Sequence, residues 1–132
     1  MKEAKGSVFM AAKIAIIEDN QAILDMYRFK FEADGYEVGV ARNGRLGLEL
    51  LENMRPDIVL LDLAMPEMDG EAVLTNMRAT DWGKTTKVIV LTNLGEQEIP
   101  EAILKLGVRH LVPKAALTPA QIEDMVKAEL AM

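Results

Sequence analysis

Pro56-Asp57-Ile58-Val59-Leu60-Leu61-Asp62 is the stretch that decides how the rest of this chain is read. Its centre is apolar at every residue, without alternation, as expected of a strand covered on both faces in the middle of a parallel sheet. It then stops on a carboxylate, a group that costs several kcal/mol to bury without a partner. A second run, Lys13-Ile14-Ala15-Ile16-Ile17, stops in the same way on Glu18-Asp19. If the two runs are neighbouring strands, three carboxylates meet at one edge of a sheet. Such a cluster repels itself unless a divalent cation or a cationic side chain joins it.

Outward from these two runs the chain alternates short β-rich segments with helical ones. Residues 14–17, 36–41, 58–61, 87–91 and 108–112 are predicted strands. Asn20 caps a predicted helix through about Ala33, with Ala22, Met26, Phe29 and Ala33 on one stripe, and Asp34-Gly35 ends it. Asn43 caps a second helix holding Leu46, Leu50 and Leu51, which stops before Pro56. Met65-Pro66-Glu67-Met68-Asp69-Gly70 is a loop by composition, and Asp69 caps a third helix carrying Val73, Leu74 and Met77. Residues 98–106 are predicted as a short helix with Pro100 in its first turn, closed by Gly107. Thr118-Pro119-Ala120-Gln121 has the form of a capping box, opening a last helix with Ile122, Met125, Val126 and Leu130.

Five strands alternating with five helices predict an α/β fold: a doubly wound five-stranded parallel sheet in a three-layer α/β/α sandwich. The ligand site of such a sheet lies at the carboxyl ends of its strands. Glu18, Asp19, Asp62 and Thr92 all fall there.

The composition narrows the function. The chain has 132 residues, half of them hydrophobic, which suits one domain with an ordinary core. Residues 13–130 are assigned to it, and residues 1–12 are expected to be a flexible leader or tail. A net charge of −6, from 21 acidic and 15 basic residues, argues against a broad nucleic-acid footprint. The absence of cysteine removes disulfides, thiolate zinc sites and cysteine nucleophiles. No stretch approaches a membrane span. A cytoplasmic protein without membrane contact is expected.

With these residues in order, the chain resembles the receiver domain of two-component response regulators, similar to single-domain chemotaxis regulators of flavodoxin-like (βα)5 fold. The resemblance covers about residues 13–130. It rests on Glu18-Asp19, on Asp62 followed by Met65-Pro66-x-Met68-Asp69-Gly70, on Thr92 after Val88-Ile89-Val90-Leu91, and on Lys114 after the fifth strand. It implies a phosphorylation-dependent signalling switch rather than an enzyme, its only chemistry being phosphorylation and dephosphorylation of itself. Asp62 would take a phosphoryl group from a phosphohistidine on a sensor histidine kinase or phosphotransfer protein. By the resemblance, Mg2+ would be bound by Asp19 and Asp62 directly, by Glu18 through water, and by the backbone carbonyl of Ala64. Lys114 would pair with Asp62 or the phosphoryl group, and the Thr92 hydroxyl would bond a phosphoryl oxygen.

Three departures from the family pattern stand out. Leu111 occupies the place, three residues before the lysine, where Tyr or Phe is usual, so this switch position is steric rather than hydrogen-bonding. Ala115 follows Lys114 where Pro is usual, and a cis bond to a non-proline residue is costly. The acidic pair is Glu-Asp, with one longer arm, and is expected to keep metal binding. His110, the only histidine, is read as a surface or edge residue.

The output would be a changed partner face, from residue 93 through the last helix, for a downstream protein target, an output domain or a homodimer formed on phosphorylation. A stand-alone receiver and a receiver cut from a larger regulator with a DNA-binding or enzymatic output domain remain alternatives, as does an interaction module that is never phosphorylated. A phosphohydrolase would usually carry a second acid two residues after its nucleophile, where this chain has Ala64. A flavodoxin-type flavin site would have its phosphate repelled by Glu18-Asp19.

Overall fold

The computed structural model describes residues 11–132. The reading of the first twelve residues as a leader lies, for residues 1–10, outside the described residues. At residue 12 the backbone is already tied into the fold, because the Ala12 carbonyl accepts the Glu37 N–H at 3.0 Å.

Five parallel strands form one sheet: β1 (Lys13–Ile17), β2 (Glu37–Ala41), β3 (Ile58–Asp62), β4 (Lys87–Thr92) and β5 (His110–Pro113). Their order across the sheet is β2-β1-β3-β4-β5. This is the flavodoxin-like doubly wound order, whose switch point lies between β1 and β3. The helices are α1 (Gln21–Ala33), α2 (Gly44–Met54), α3 (Gly70–Arg78), α4 (Glu101–Leu104) and α5 (Pro119–Leu130). No helix among the described residues is long and apolar enough to cross a membrane.

Local chemistry starts the helices where the sequence indicates. Asn20 accepts the Ile23 N–H at 3.0 Å, Asn43 the Leu46 N–H at 2.8 Å and Asp69 the Ala72 N–H at 2.9 Å. Thr118 and Gln121 exchange reciprocal side-chain to backbone bonds of 3.2 and 2.8 Å around Pro119. Each satisfies N–H groups that the first helical turn leaves without partners.

The two faces of the sheet bury separate cores. On one, Ile17, Val59, Leu61 and Val88 meet Leu51, Leu74, Met77 and Ile103 of α2, α3 and α4. On the other, Ile14, Ile16, Leu60 and Ile89 meet Tyr27 and Phe31 of α1 and Ile122 and Val126 of α5. Every residue of β3 is buried, which places it centrally.

Three expectations are corrected. The apolar stripe of α1 faces outward: Phe29 is 76% exposed and Met26 37%, while Leu24, Tyr27 and Phe31 are buried. The helix is apolar on more than one side, and the sheet selects the side with the larger rings. The helix expected over residues 98–106 is a 3-10 turn, Glu96–Glu98, followed by the four-residue α4. Pro100 precedes α4 as its cap instead of lying in its first turn. In α2, Leu46 is 42% exposed, and the inward face is made by Leu51 together with Gly44 and Gly47.

Candidate functional site

Parallel register carries the acidic residues to one edge. Ile17 pairs with Leu61, and Asp62 with Leu91. Glu18, one residue past Ile17, and Asp62 therefore end neighbouring strands at the switch point. The Glu18 N–H donates to the Ala41 carbonyl at 3.0 Å, so Glu18 continues the pairing of β1 with β2. Asp19 then turns outward as the chain leaves for α1. Carboxylate oxygens of Glu18, Asp19 and Asp62 all lie within 4.8 Å of one another.

The next loop is held against this edge by two glycines. A side chain at Gly70, the first residue of α3, would overlap the Asp62 carbonyl and approach Leu63 Cα to 2.8 Å. At Gly44 it would overlap the Met68 carbonyl. The loop from Leu63 to Asp69 can thus seat directly on the strand end and leave Ala64 exposed at the mouth. An open cleft of about 450 Å3 lies there, bordered by Asp19, Ala64, Met65, Asp69, Leu94 and Pro100.

The fifth strand delivers the cation. The Lys114 N–H donates to the Thr92 carbonyl at 2.8 Å, directing the lysine toward the acidic edge. Its ammonium lies 2.8 Å from Glu18 Oε1, 3.0 Å from Glu18 Oε2 and 3.4 Å from Asp62 Oδ2. The lysine is therefore held mainly by Glu18, a preference that spacing along the chain does not reveal. Glu18 Oε2 also accepts the Asn20 N–H at 3.0 Å, and Asp62 Oδ1 accepts the Ala64 N–H at 3.2 Å.

Glu18 and Asp62 are each only 3% exposed. Burial, and next the charge of Glu18, push the Asp62 carboxyl up to about 7, against the opposing pull of Lys114 and the Ala64 N–H. Burial works against the Lys114 ammonium, but the hydrogen bond to Glu18 and the charges of Asp62 and Glu18 outweigh it and raise its pKa. The site is thus an acidic pocket whose one close cation among the described residues, Lys114, does not balance it. Its donors are all oxygens, the kind Mg2+ prefers, so the residues present fit that ion.

Thr92 ends β4 one residue beyond the partner of Asp62, is 1% exposed, and its hydroxyl oxygen accepts the Leu94 N–H at 3.0 Å. Leu111 is not at the pocket. It pairs with Val90 and packs into the core on the α2, α3 and α4 side. His110 lies on the edge strand, with Nε2 2.9 Å from Glu129 Oε2.

Sequence reasoning missed Tyr27, which is buried beside the pocket, where burial and the charge of Glu18 raise its phenol pKa. A helix phased on Leu24, Tyr27 and Phe31 would have been its signal. It also missed Glu129, a buried acid on α5 that binds Arg109 at 2.8 Å as well as His110. A carboxylate among apolar positions of a terminal helix was the only hint.

Comparison with known proteins decides the family. The sequence pattern described as the response regulator receiver domain matches residues 14–127. The chain belongs to the response regulator receiver domain family. Receiver domains are signalling domains of two-component systems, and their general function is that of a phosphoryl-accepting switch. The receiver is 36% identical over 102 residues to the regulatory protein AtoC of Escherichia coli (strain K12), a match covering 77% of this chain and 22% of AtoC. The chain thus spans about a fifth of that relative's length. Among solved structures, a CheY-like receiver domain protein from Methanospirillum hungatei JF-1 is similar, with a TM-score of 0.82 and 26% identity over 92% of this chain and 95% of that one. The receiver domain of the sensor histidine kinase PA1611 from Pseudomonas aeruginosa PAO1 shares the fold, with a TM-score of 0.82 and 22% identity over 93% of this chain and all of that one. That protein was solved with a magnesium ion coordinated in its active site cleft.

Proposed function

We propose that Asp62 is the phosphoacceptor of this receiver domain and that a phosphohistidine on a sensor histidine kinase or phosphotransfer protein is the donor. The observation that carries this reading is the buried Asp62 carboxylate, standing within 4.8 Å of Glu18 and Asp19 and 3.4 Å from the Lys114 ammonium. A carboxylate nucleophile is an established route to an aspartyl phosphate. An Asp62 oxygen forms the new O–P bond as the N–P bond to the imidazole breaks, and the imidazole leaves with the electron pair.

Asp19, Asp62 and the Ala64 carbonyl are the direct ligands for Mg2+ in this reading, with Glu18 acting through water. When bound, Mg2+ offsets the repulsion between the carboxylate and the incoming phosphoryl oxygens. Lys114 adds a mobile point charge, and the Thr92 hydroxyl, turning from the Leu94 N–H, can donate to a phosphoryl oxygen. Burial of the pocket strengthens each of these interactions.

A phosphoryl group brings nearly two negative charges and three strong acceptors. By drawing Thr92 and Lys114 inward it shifts the segments that follow them: the Leu94–Pro100 loop, α4, β5 and α5. That face is the proposed contact for a downstream protein, an output domain or a second receiver, within the cytoplasm. Leu111, which packs against the core on the α2, α3 and α4 side, acts in it as a steric element. Leu111→Tyr is expected to alter partner affinity in at least one phosphorylation state, and unchanged affinity in both would remove this role.

Intact mass after incubation with acetyl phosphate tests the phosphoacceptor reading. One added phosphoryl group is expected in the wild type with Mg2+, and none in its absence or in Asp62→Asn. An Asp62→Asn chain that still gained the group would sink the assignment.

A further inference from the structure

We propose that the edge of the sheet opposite the carboxylates is a second binding site, in which Lys13, Arg55 and Lys87 hold a small anion charged at two points, of the diphosphate kind. This goes beyond the phosphoacceptor reading and does not depend on it. A pocket of about 570 Å3 lies where β1, β3 and β4 begin, bordered by Lys13, Arg55, Asp57, Lys87, Ala12 and Leu130. Its volume is within the range of small-molecule sites. The six residues of β4 put Lys87 at this edge and Thr92 at the acidic one, roughly 16 Å apart.

Register gathers the cations. Ile58 pairs with Ile14 on one side and with Lys87 on the other, so Lys13 and Lys87 begin the two strands that flank β3. Asp57, the one acidic side chain lining the pocket among the described residues, accepts the Lys13 backbone N–H at 2.7 Å. An ammonium has three donors. Lys13 Nζ meets the Met54 carbonyl at 3.4 Å and Lys87 Nζ meets the Glu129 carbonyl, near the ends of α2 and α5. Among the described residues neither lysine forms an ion pair, and neither does Arg55. The helix-end carbonyls account for one bond of each lysine, and not for a third cation beside them.

Arg55 points to a ligand. Its φ is 50°, in the left-handed region where glycine is the unstrained choice for ending a helix. Strain of this kind persists only where the surroundings demand it, and it gathers at functional sites. The guanidinium carbon stands over the Trp82 ring, 5.8 Å from its centroid. The ring covers one face of the planar group and leaves the donors at its rim to an acceptor. Three cations against Asp57 give the pocket an excess of positive charge in a chain whose net charge is −6. The backbones of Lys13 and Lys87 lie two strand spacings apart, roughly 10 Å, so an anion charged at two points meets both lysines better than a single phosphate does.

Calorimetric titration of the full chain with inorganic pyrophosphate, orthophosphate and ADP tests the site, with a chelator present so that no metal draws anions to the acidic edge. Pyrophosphate is expected to bind at one site per chain, at least about tenfold tighter than orthophosphate. Competition by ADP would show that the diphosphate of an organic molecule is accepted, and its exclusion that only the inorganic ion is; both uphold the site. Arg55→Gly removes a cation while relieving the backbone, so the fold is kept, and pyrophosphate affinity is expected to fall on the order of tenfold. Lys87→Gln is expected to act alike. Arg45→Gln, the same loss of charge beside Glu67, is expected to change affinity by less than about twofold. NMR amide shifts on titration are expected at residues 12–13, 55–57 and 87–88. Absence of pyrophosphate binding, orthophosphate binding as tight, an Arg55→Gly loss no larger than that of Arg45→Gln, or shifts centred on residues 18–19 and 62–64 would each overturn the proposal.

Discussion

The hydroxyl oxygen of Thr92 accepts the backbone N–H of Leu94 at 3.0 Å, at the point where β4 gives way to the loop above Asp62. One side chain thus holds the loop and is the group proposed to meet the phosphoryl oxygen. Both demands can be removed together. Thr92→Ala leaves the Leu94 N–H without its acceptor and is expected to cost about 1–2 kcal/mol of stability. Beryllofluoride affinity is expected to fall about tenfold with it, while Thr92→Ser retains most of both. Urea unfolding and beryllofluoride titration check the pair. Equal loss in the serine variant would show that the methyl group, not the hydroxyl, matters.

The raised Asp62 carboxyl gives the metal-free chain a defined pH dependence. Its pKa rises from an ordinary 3.8 to about 7 on folding. The folded state therefore binds a proton that the unfolded chain releases at lower pH. The stability this supplies is complete below about pH 4 and is lost as pH climbs through about 7. The loss is expected to be roughly 1–3 kcal/mol after allowance for solvent at the mouth of the pocket. Urea midpoints with a chelator present should fall between pH 5 and pH 8 for the wild type and change less for Asp62→Asn.

Glu67 has a φ of 71°, in the left-handed region where a side chain is strained. Its carboxylate reaches Asn43 and Arg45 only at 3.5 Å, at exposed positions. Such contacts contribute little. Glu67→Gly and Glu67→Asn are each expected to stabilise the fold by about 0.5–1 kcal/mol, from relief of the backbone less the added freedom of the unfolded chain. A lower denaturation midpoint in both would mean that the side-chain contacts outweigh the strain.

Arg78 joins two loops far from the acidic edge. Its guanidinium donates to the carbonyls of Gly83 and Thr86 at 2.8 Å, Leu106 at 2.8 Å and Gly107 at 3.2 Å. A lysine is a point donor and cannot span this set. Arg78→Lys is expected to cost about 1–2 kcal/mol and Arg78→Ala roughly 2–4 kcal/mol by urea unfolding. Amide exchange at residues 106–109 should quicken in both. Unchanged exchange in those residues would show that the loop does not depend on the clamp.

How far the sequence reached follows the range of the forces involved. Asn20, Asn43, Asp69 and Thr118 were readable as helix starts because each cap bond spans three residues. The unbroken apolar run of β3 announced a central strand, and carboxylates after two such runs marked the sheet edge, because burial and charge are properties of the residues themselves. The side of α1 that faces inward was not readable. Its apolar residues suit two phases, and only contact with the sheet favours Tyr27 and Phe31 over Met26 and Phe29. The residues around Pro100 likewise carry a helical pattern too short to overcome the cost of nucleation before residue 101.

The sequence by itself determined the order of strands and helices, the family, and which carboxylates, hydroxyl and lysine meet at one edge. Tertiary structure alone decided how they are shared. Lys114 and Glu18 are 96 residues apart, and their pairing depends on the register of β1 against β3 and β4 against β5. The packed sheet ends set the ammonium 2.8 Å from Glu18 and 3.4 Å from Asp62, in ion pairs with both. No local pattern encodes such distances, because they are set by the packing of the whole sheet.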